Sequence, residues 1–166
     1  MLKPHEILGF MSPTTANDIL SFTFESDKPA YRAVLNAVAE AKHVRAIFLE
    51  RQPRAERHVA MISALSKPQL DVAAGAMLRA WLVKKYAAML EDFLNSLEIK
   101  NNKGVVDDLP AGVDDAKLKA AVDALLAKYP PEVVAIYLNA FNDMNEAGWA
   151  NLKQMLETDS RLQLGK

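Results

Sequence analysis

Prolines divide this sequence into segments whose apolar residues recur at helical spacing. The chain has eight prolines. Ser12-Pro13 ends the first apolar segment, and Asp27-Lys28-Pro29 is a cap followed by an early-turn proline that opens the third. Proline fits the first turn of a helix but disfavours α conformation in the residue before it. The prolines therefore mark where helices begin and end. No segment alternates apolar and polar residues convincingly, as a half-buried strand would, and we predict an all-α fold.

The apolar periodicity predicts about seven to eight helices, arranged as a multi-helix bundle or an irregular helical array. No repeat of fixed period occurs, so a regular solenoid is not expected. The approximate bounds of the predicted helices are 4–11, 15–25, 28–50, 54–66, 69–98, 115–129, 131–141 and 146–157.

The longest of these segments, 69–98, is predicted to be a central helix. At 1.5 Å per residue it would span about 45 Å. Its first half is apolar almost all round, whereas its second half has one charged face. A helix that is apolar all round is a buried helix, so the first half is expected at the centre of the fold.

A single long unpatterned stretch, 100–113, follows this helix. It reads KNNKGVVDDLPAGV and contains a proline and two glycines, which is typical of a loop. The chain length of 166 residues suits one domain. We therefore predict one all-α domain over 1–166, in which the 100–113 loop joins helical blocks 1–99 and 114–166.

The composition excludes several chemistries. Cysteine is absent, so disulfides, thiolate metal sites and cysteine nucleophiles are excluded. The first ten residues, MLKPHEILGF, include an acid and a histidine where a signal peptide would be apolar. From this we expect a soluble cytoplasmic protein with no membrane partner.

Candidate metal and acid–base residues are few. Glu40 and His43 have the i, i+3 spacing of a diiron ligand pair, but the chain has no second such pair. Both lie off the apolar stripe of their helix and are expected to face solvent. His58 is expected to be solvated on the polar side of its helix, and His5 lies near a terminus. With no phosphate-binding or nucleophile motif either, we expect no metal, no cofactor and a non-enzymatic role.

Arg79 is the most unusual residue of the sequence because it interrupts the apolar run Val72–Val83. At 100° per residue it falls at the centre of a helical stripe. A buried guanidinium is costly unless a carboxylate, carbonyl groups or a bound anion replaces its solvation, so such a group is expected to face it. The other residues of the stripe are Val72, Val83, Tyr86, Leu90, Phe93 and Leu97.

Arg45 also points along an apolar stripe, that of the helix predicted at 28–50, with Lys42 at its edge. Three explanations of the two inward arginines remain open. Each arginine pairs with an acid of another helix, or its head reaches water along an apolar stem, or Arg79, Arg45 and Lys42 form a site for a carboxylate or phosphate. The acids considered as partners are Asp71, Asp115 and Asp123.

Charge is unevenly distributed along the chain. Residues 28–85 carry eleven Lys and Arg against four acids, a net charge of +7, whereas residues 86–166 carry a net charge of −5. The basic segment 42–58 is suited to contacting phosphates. It is interleaved with acids and has no aromatic stacking platform, so it predicts at most weak nucleic-acid binding.

The face of the 69–98 helix opposite Arg79 carries further large apolar residues, Leu70, Met77 and Trp81. This helix therefore needs apolar cover on two sides, from a thick bundle or from a second subunit. We expect an interaction domain that acts through protein–protein contact or self-association, for instance as a homodimer. The alternative is a small-anion binder built on Arg79, Arg45 and Lys42, and the third possibility is weak nucleic-acid binding.

Overall fold

The computed structural model describes residues 1–165, so Lys166, the last residue of the predicted domain, lies outside the described residues. The described part is helical, with two 3₁₀ turns (Pro68–Leu70 and Ser160–Leu162) and no strand, which confirms the predicted all-α class. Its α-helices are α1 (Pro4–Phe10), α2 (Pro13–Ser26), α3 (Lys28–Ala41), α4 (Ala46–Glu50), α5 (Arg54–Leu65), α6 (Asp71–Lys85), α7 (Ala87–Ser96), α8 (Asp115–Lys128), α9 (Pro131–Met144) and α10 (Ala150–Thr158).

Several helices begin where proline and a capping side chain predict. The Asp27 carboxylate accepts a hydrogen bond from the Ala30 backbone N–H, and the Asp114 carboxylate accepts one from the Lys117 backbone N–H. These bonds satisfy backbone donors that have no partner inside the helix. The residues that signal a helix start in the sequence therefore act through hydrogen bonds within the first turn of that helix.

Ten helices form in residues 1–165, rather than seven to eight, because two predicted helices are divided. The predicted helix 28–50 ends at Ala41, and His43 adopts a positive φ of 55° before α4 begins. The predicted helix 69–98 becomes a 3₁₀ turn, α6 and α7, with the break at Tyr86 (φ −116°, ψ 28°). No proline or glycine marks either break.

The chain divides into two compact units, and the division falls within α6. The N-terminal unit is Lys3–Trp81 with Gly165, and the C-terminal unit is Met1–Leu2 with Leu82–Leu164. The predicted division at 100–113 lies elsewhere: α7 packs against α8, so that loop connects two helices of the same unit. One domain over 1–166 stays a prediction.

The N-terminal unit packs α2, α3 and α5 against one another, with α1 against α5. Within this unit α6 buries one face, whose residues follow helical spacing. The Trp81 indole N–H on this face donates to the Asp18 carboxylate at 3.2 Å. The buried residues of the α6 face are Ala74, Met77, Leu78 and Trp81.

The C-terminal unit is built around α9, in which every residue from 133 to 142 is buried. The Phe93 ring of α7 meets Tyr137 and Phe141 of α9 edge-on, with centroids 5.6 and 5.5 Å apart. Trp149 lies against Phe141, and its indole N–H donates to the Pro110 carbonyl at 2.8 Å. The helix buried on all sides is therefore α9, and the predicted central helix 69–98 does not form as one helix.

Candidate functional site

Arg79, the first of the predicted site residues, is exposed, so the expectation that it faces the core is wrong. Val72, a residue of the same proposed stripe, is 88% exposed. The predicted stripe passes through Tyr86. The helix breaks at this residue, so the side chains of α7 do not continue the angular positions of those on α6. Leu90 and Phe93 are buried on α7. If their stripe is extended back into α6 at helical spacing, it falls on the solvent-exposed face of α6.

The acids considered as partners for Arg79 are engaged elsewhere. Asp71 binds His5, Asp115 accepts a hydrogen bond from Asn151, and Asp123 pairs with Lys119 and Arg161. Of the three explanations left open, a core ion pair of Arg79 with one of these acids is therefore wrong.

Arg45 and Lys42, the other predicted site residues, are exposed as well. Arg45 is the N-cap of the short helix α4 and lies outside α3, so it does not extend an apolar stripe. Lys42 lines a surface cleft of about 370 Å³ with Ser63, Lys67 and Gln69. Neither Arg45 nor Arg79 lines this cleft, which therefore does not bring the three predicted residues together.

Glu40 and His43 face solvent, as the sequence predicts. Across residues 1–165 no group of three or more His, Asp or Glu side chains is placed to hold a metal ion. In that same part of the chain, no helix is both long enough and apolar enough to span a bilayer.

His58 is buried at 3% exposure, and the expectation of a solvated imidazole is wrong. Its Nε2 lies 3.1 Å from the Tyr31 hydroxyl. Burial, and then the positive charges of Arg54 and Arg57, lower the pKa of His58 from 6.5 to about 4. The ring is therefore neutral at pH 7.

The buried face of α5 includes His58 rather than its apolar neighbour Val59, which is 72% exposed. His58, Met61 and Leu65 have i, i+3, i+7 spacing. That spacing is the sequence signal by which the buried histidine can be found.

Arg57 completes a buried polar cluster with His58 and Tyr31. Its guanidinium lies 5.6 Å from the Phe24 ring centroid and 5.8 Å from that of Tyr31, distances at which a cation is attracted to the ring. Its Nη1 donates to the Glu50 carbonyl at 3.1 Å. Glu50 ends α4, so this bond holds the last turn of α4 against α5.

Two atoms of this cluster are buried without a hydrogen-bond partner, Arg57 Nε and His58 Nδ1. An unsatisfied buried polar atom costs about 1–3 kcal/mol. A second polar contact at this end of α4 is the pair between the Arg32 guanidinium and the Glu50 carboxylate. The position of α4 is thus fixed by polar contacts at its C-terminal end.

The segment held in this way presents large apolar side chains to solvent. Val44, Ile47 and Phe48 are 40%, 45% and 57% exposed, whereas Leu49 is buried. Single exposed apolar residues are normal on a protein surface, but clusters mark contact sites. The cations nearest in sequence are exposed too. We call the α4 surface the set Val44, Ile47 and Phe48 with the flanking Lys42, Arg45 and Arg51.

Comparison with known proteins adds no functional information. No protein-family model matches the chain, and no match was found among the curated proteins or the solved structures. The functional interpretation of the α4 surface and of the cleft at Lys42 therefore rests on their geometry alone.

Proposed function

We propose that this chain is a non-enzymatic helical interaction domain that binds a protein partner through the α4 surface. The observation that supports this proposal is the exposure of Val44, Ile47 and Phe48 on a segment held in place by Arg57 and Arg32. A pre-positioned apolar surface loses little conformational entropy on binding. Phe48 is the expected anchor, since aromatic side chains often dominate interface energetics.

The flanking cations specify the chemistry of the partner. Lys42, Arg45 and Arg51 have no ion-pair partner within residues 1–165. An acidic partner surface complements such a rim and binds faster at low ionic strength. A two-fold symmetric homodimer through α4 would place like charges opposite each other. We therefore propose an acidic, apolar segment of another protein as the partner.

The test uses a displayed peptide library selected on the full chain. Peptides that combine acidic and apolar residues should be enriched, and added salt should weaken their binding. The double variant Ile47→Ser/Phe48→Ser should bind them at least about tenfold more weakly, which corresponds to the loss of one well-packed anchor. Val72→Ser is the matched control, because it removes an exposed apolar residue outside the α4 surface.

Two results would overturn this proposal. One is enrichment of peptides that bind the double variant and the unchanged chain equally well. The other is a concentration-dependent dimer in sedimentation equilibrium that the double variant abolishes, which would make self-association the function of this surface.

Small-anion binding is the second candidate, and the cleft at Lys42 and Lys67 favours it. Two ammonium groups beside the Ser63 hydroxyl and the Gln69 amide are suited to a phosphate or carboxylate. Phosphate and citrate should then raise the melting temperature of the chain, and Lys42→Met/Lys67→Met should remove this shift. Arg79→Met serves as control for charge, since Arg79 is exposed outside the cleft. An equal shift in the double lysine variant would reject this site.

Weak nucleic-acid binding through residues 42–58 stays a prediction. Two of its cations are engaged in the protein: Arg54 pairs with Glu25 and lies over Phe24, and Arg57 binds the Glu50 carbonyl. Fewer free cations remain for phosphates, and sequence-independent affinity rises with their number. We therefore rank this function third.

A further inference from the structure

A cavity of about 270 Å³ in the C-terminal unit has no role in the contacts described above. It lies between α9, α10 and the segment that follows α10. Asn139 and Asn142 line it from α9, Lys153 and Glu157 line it from α10, and Gln163 lines it from the last segment. Met1 and Leu2 also line it, so its walls combine three amides, one charged side chain of each sign and the first two residues.

The amides of this cavity are only partly satisfied by the protein. Asn142 is 5% exposed and lines the cavity with its amide side chain. Gln163 donates its amide N–H to the Glu157 carbonyl at 2.9 Å, but its Oε1 is buried without a partner. Asn139 uses its amide N–H groups for the carbonyls of Ala135 and Leu162. Buried amides are normally hydrogen-bonded, so unpaired ones require an explanation.

The free atoms of the three amides are mainly acceptors. Gln163 Oε1, the atom buried without a partner, needs an N–H or O–H donor, whereas Asn139 Oδ1 can accept one and Asn142 can both donate and accept. A ligand that satisfies them therefore carries several N–H donors. This property separates the cavity from the lysine-lined cleft, which is suited to an anion.

The two charges of the cavity lie one helical turn apart on α10. Lys153 and Glu157 have i, i+4 spacing, but no ion pair joins them in the structure. Together they complement a ligand with both a carboxylate and an ammonium group. The remaining wall is apolar and includes Leu156, Leu162 and Leu164.

We propose that this cavity binds a free α-amino acid with an apolar side chain. The ammonium group of the ligand donates to Gln163, Asn139 and Glu157, its carboxylate binds Lys153 and the Asn142 amide, and its side chain packs on the leucines. A volume of about 270 Å³ is just below the common range for small-molecule pockets, roughly 300–1,000 Å³. It therefore suits a single amino acid rather than a peptide.

The experiment is a titration of the full chain with leucine, phenylalanine, lysine and glutamate, monitored by calorimetry and melting temperature. Leucine or phenylalanine should bind, and lysine and glutamate should bind at least about tenfold more weakly, since a buried unpaired charge opposes their binding. N-acetyl-leucine and leucinamide, which each lack one charge of the zwitterion, should also bind about tenfold more weakly.

Asn142→Leu separates binding from folding. This near-isosteric change replaces an amide that lines the cavity, so the melting temperature without ligand should change little, while leucine binding is lost. Lys153→Met should weaken leucine but leave leucinamide unchanged. Lys103→Met is the control for charge, because Lys103 is exposed in the 100–113 loop.

Two outcomes would overturn the proposal. The first is the absence of any heat or melting-temperature change with all four amino acids at millimolar concentration. The second is equal leucine binding by Asn142→Leu and the unchanged chain. Neither outcome bears on the α4 surface, which lies in the other unit.

Discussion

The two units of this chain differ in whether they bury charged and polar side chains. In the C-terminal unit, cations pair with carboxylates at the surface, among them Lys117, Lys119, Lys128 and Arg161, while the core around α9 is aromatic. The N-terminal unit also has surface ion pairs, at Arg32 and Arg54, but Arg57 and His58 are buried beside Phe24 and Tyr31. The cations of the α4 surface have no carboxylate partner within residues 1–165.

This contrast shows where the chain gives up stability. A buried guanidinium and a neutral imidazole with unsatisfied atoms oppose folding, whereas an aromatic core does not. Arg57 nevertheless fixes the end of α4, and it thereby positions the α4 surface that we propose as the interaction site. Sites of this kind are expected where local stability is lower than it could be.

The largest expected effect is that of removing an aromatic ring from the C-terminal unit. Phe93→Ala deletes a fully buried ring that meets both Tyr137 and Phe141, and should lower the free energy of unfolding by about 3–5 kcal/mol. Urea denaturation followed by circular dichroism measures this change. Val72→Ala, at an exposed position, is the control and should change little. A loss below about 1 kcal/mol would show that α9 is not the centre of its unit.

The next effect tests the N-terminal unit through pH. The pKa of His58 is lowered to about 4, so the unfolded chain binds this proton more tightly than the folded one. Stability should therefore fall as pH decreases from about 6.5 to about 4, by up to about 3 kcal/mol from this group. Above pH 6.5 the group contributes no pH dependence.

His58→Gln isolates that contribution because carboxylates titrate in both proteins. The urea-denaturation curves should show the unchanged chain losing more stability between pH 6.5 and pH 4 than the variant does. If the two stability profiles run parallel over this interval, His58 is not buried in its neutral form, and the contrast between the two cores fails.

The sequence predicts the helical class and several helix starts because these depend on local signals. Asp27 and Asp114 each cap a helix that begins where the sequence indicates, whereas Ser12 caps α2 two residues before its predicted start. The breaks at Tyr86 and His43 have no such signal, since neither is at a proline or glycine. They follow from how the neighbouring helices pack, and the apolar pattern of one segment carries no information about that packing.

The site predicted from the sequence requires unbroken helices over 69–98 and 28–50. The sequence signals neither break, and for that reason it predicts that the two arginines face the core. Arg79 faces the core only if 69–98 is one helix, and Arg45 joins a stripe only if 28–50 is one helix. Once both helices break, Arg79 and Arg45 are exposed, and Phe48 and Ile47 become the exposed residues of α4. Of the predicted site, Lys42 and Arg45 keep a place in the proposed surface.

A moderate effect is expected at the start of α1 in the N-terminal unit. The Asp71 carboxylate accepts hydrogen bonds from the His5 backbone N–H at 3.0 Å and from His5 Nδ1 at 2.6 Å. Burial raises the pKa of Asp71, but these bonds outweigh it and hold the pKa below its ordinary value. Asp71→Ala should lower the free energy of unfolding by about 1–2 kcal/mol, as for the loss of a helix cap. An unchanged urea midpoint would show that α1 does not depend on this bond.

The smallest effect is expected for the surface ion pairs of the C-terminal unit. Lys117 pairs with Glu98 at 2.7 Å, but both side chains are largely exposed. Water and salt screen such a pair, and holding two long side chains in place opposes the attraction. Lys117→Met should therefore leave the urea midpoint unchanged within error, at low and high salt alike. A salt-dependent loss would mean that paired surface charge stabilises this unit, and the difference between the units would then lie at their surfaces as well as in their cores.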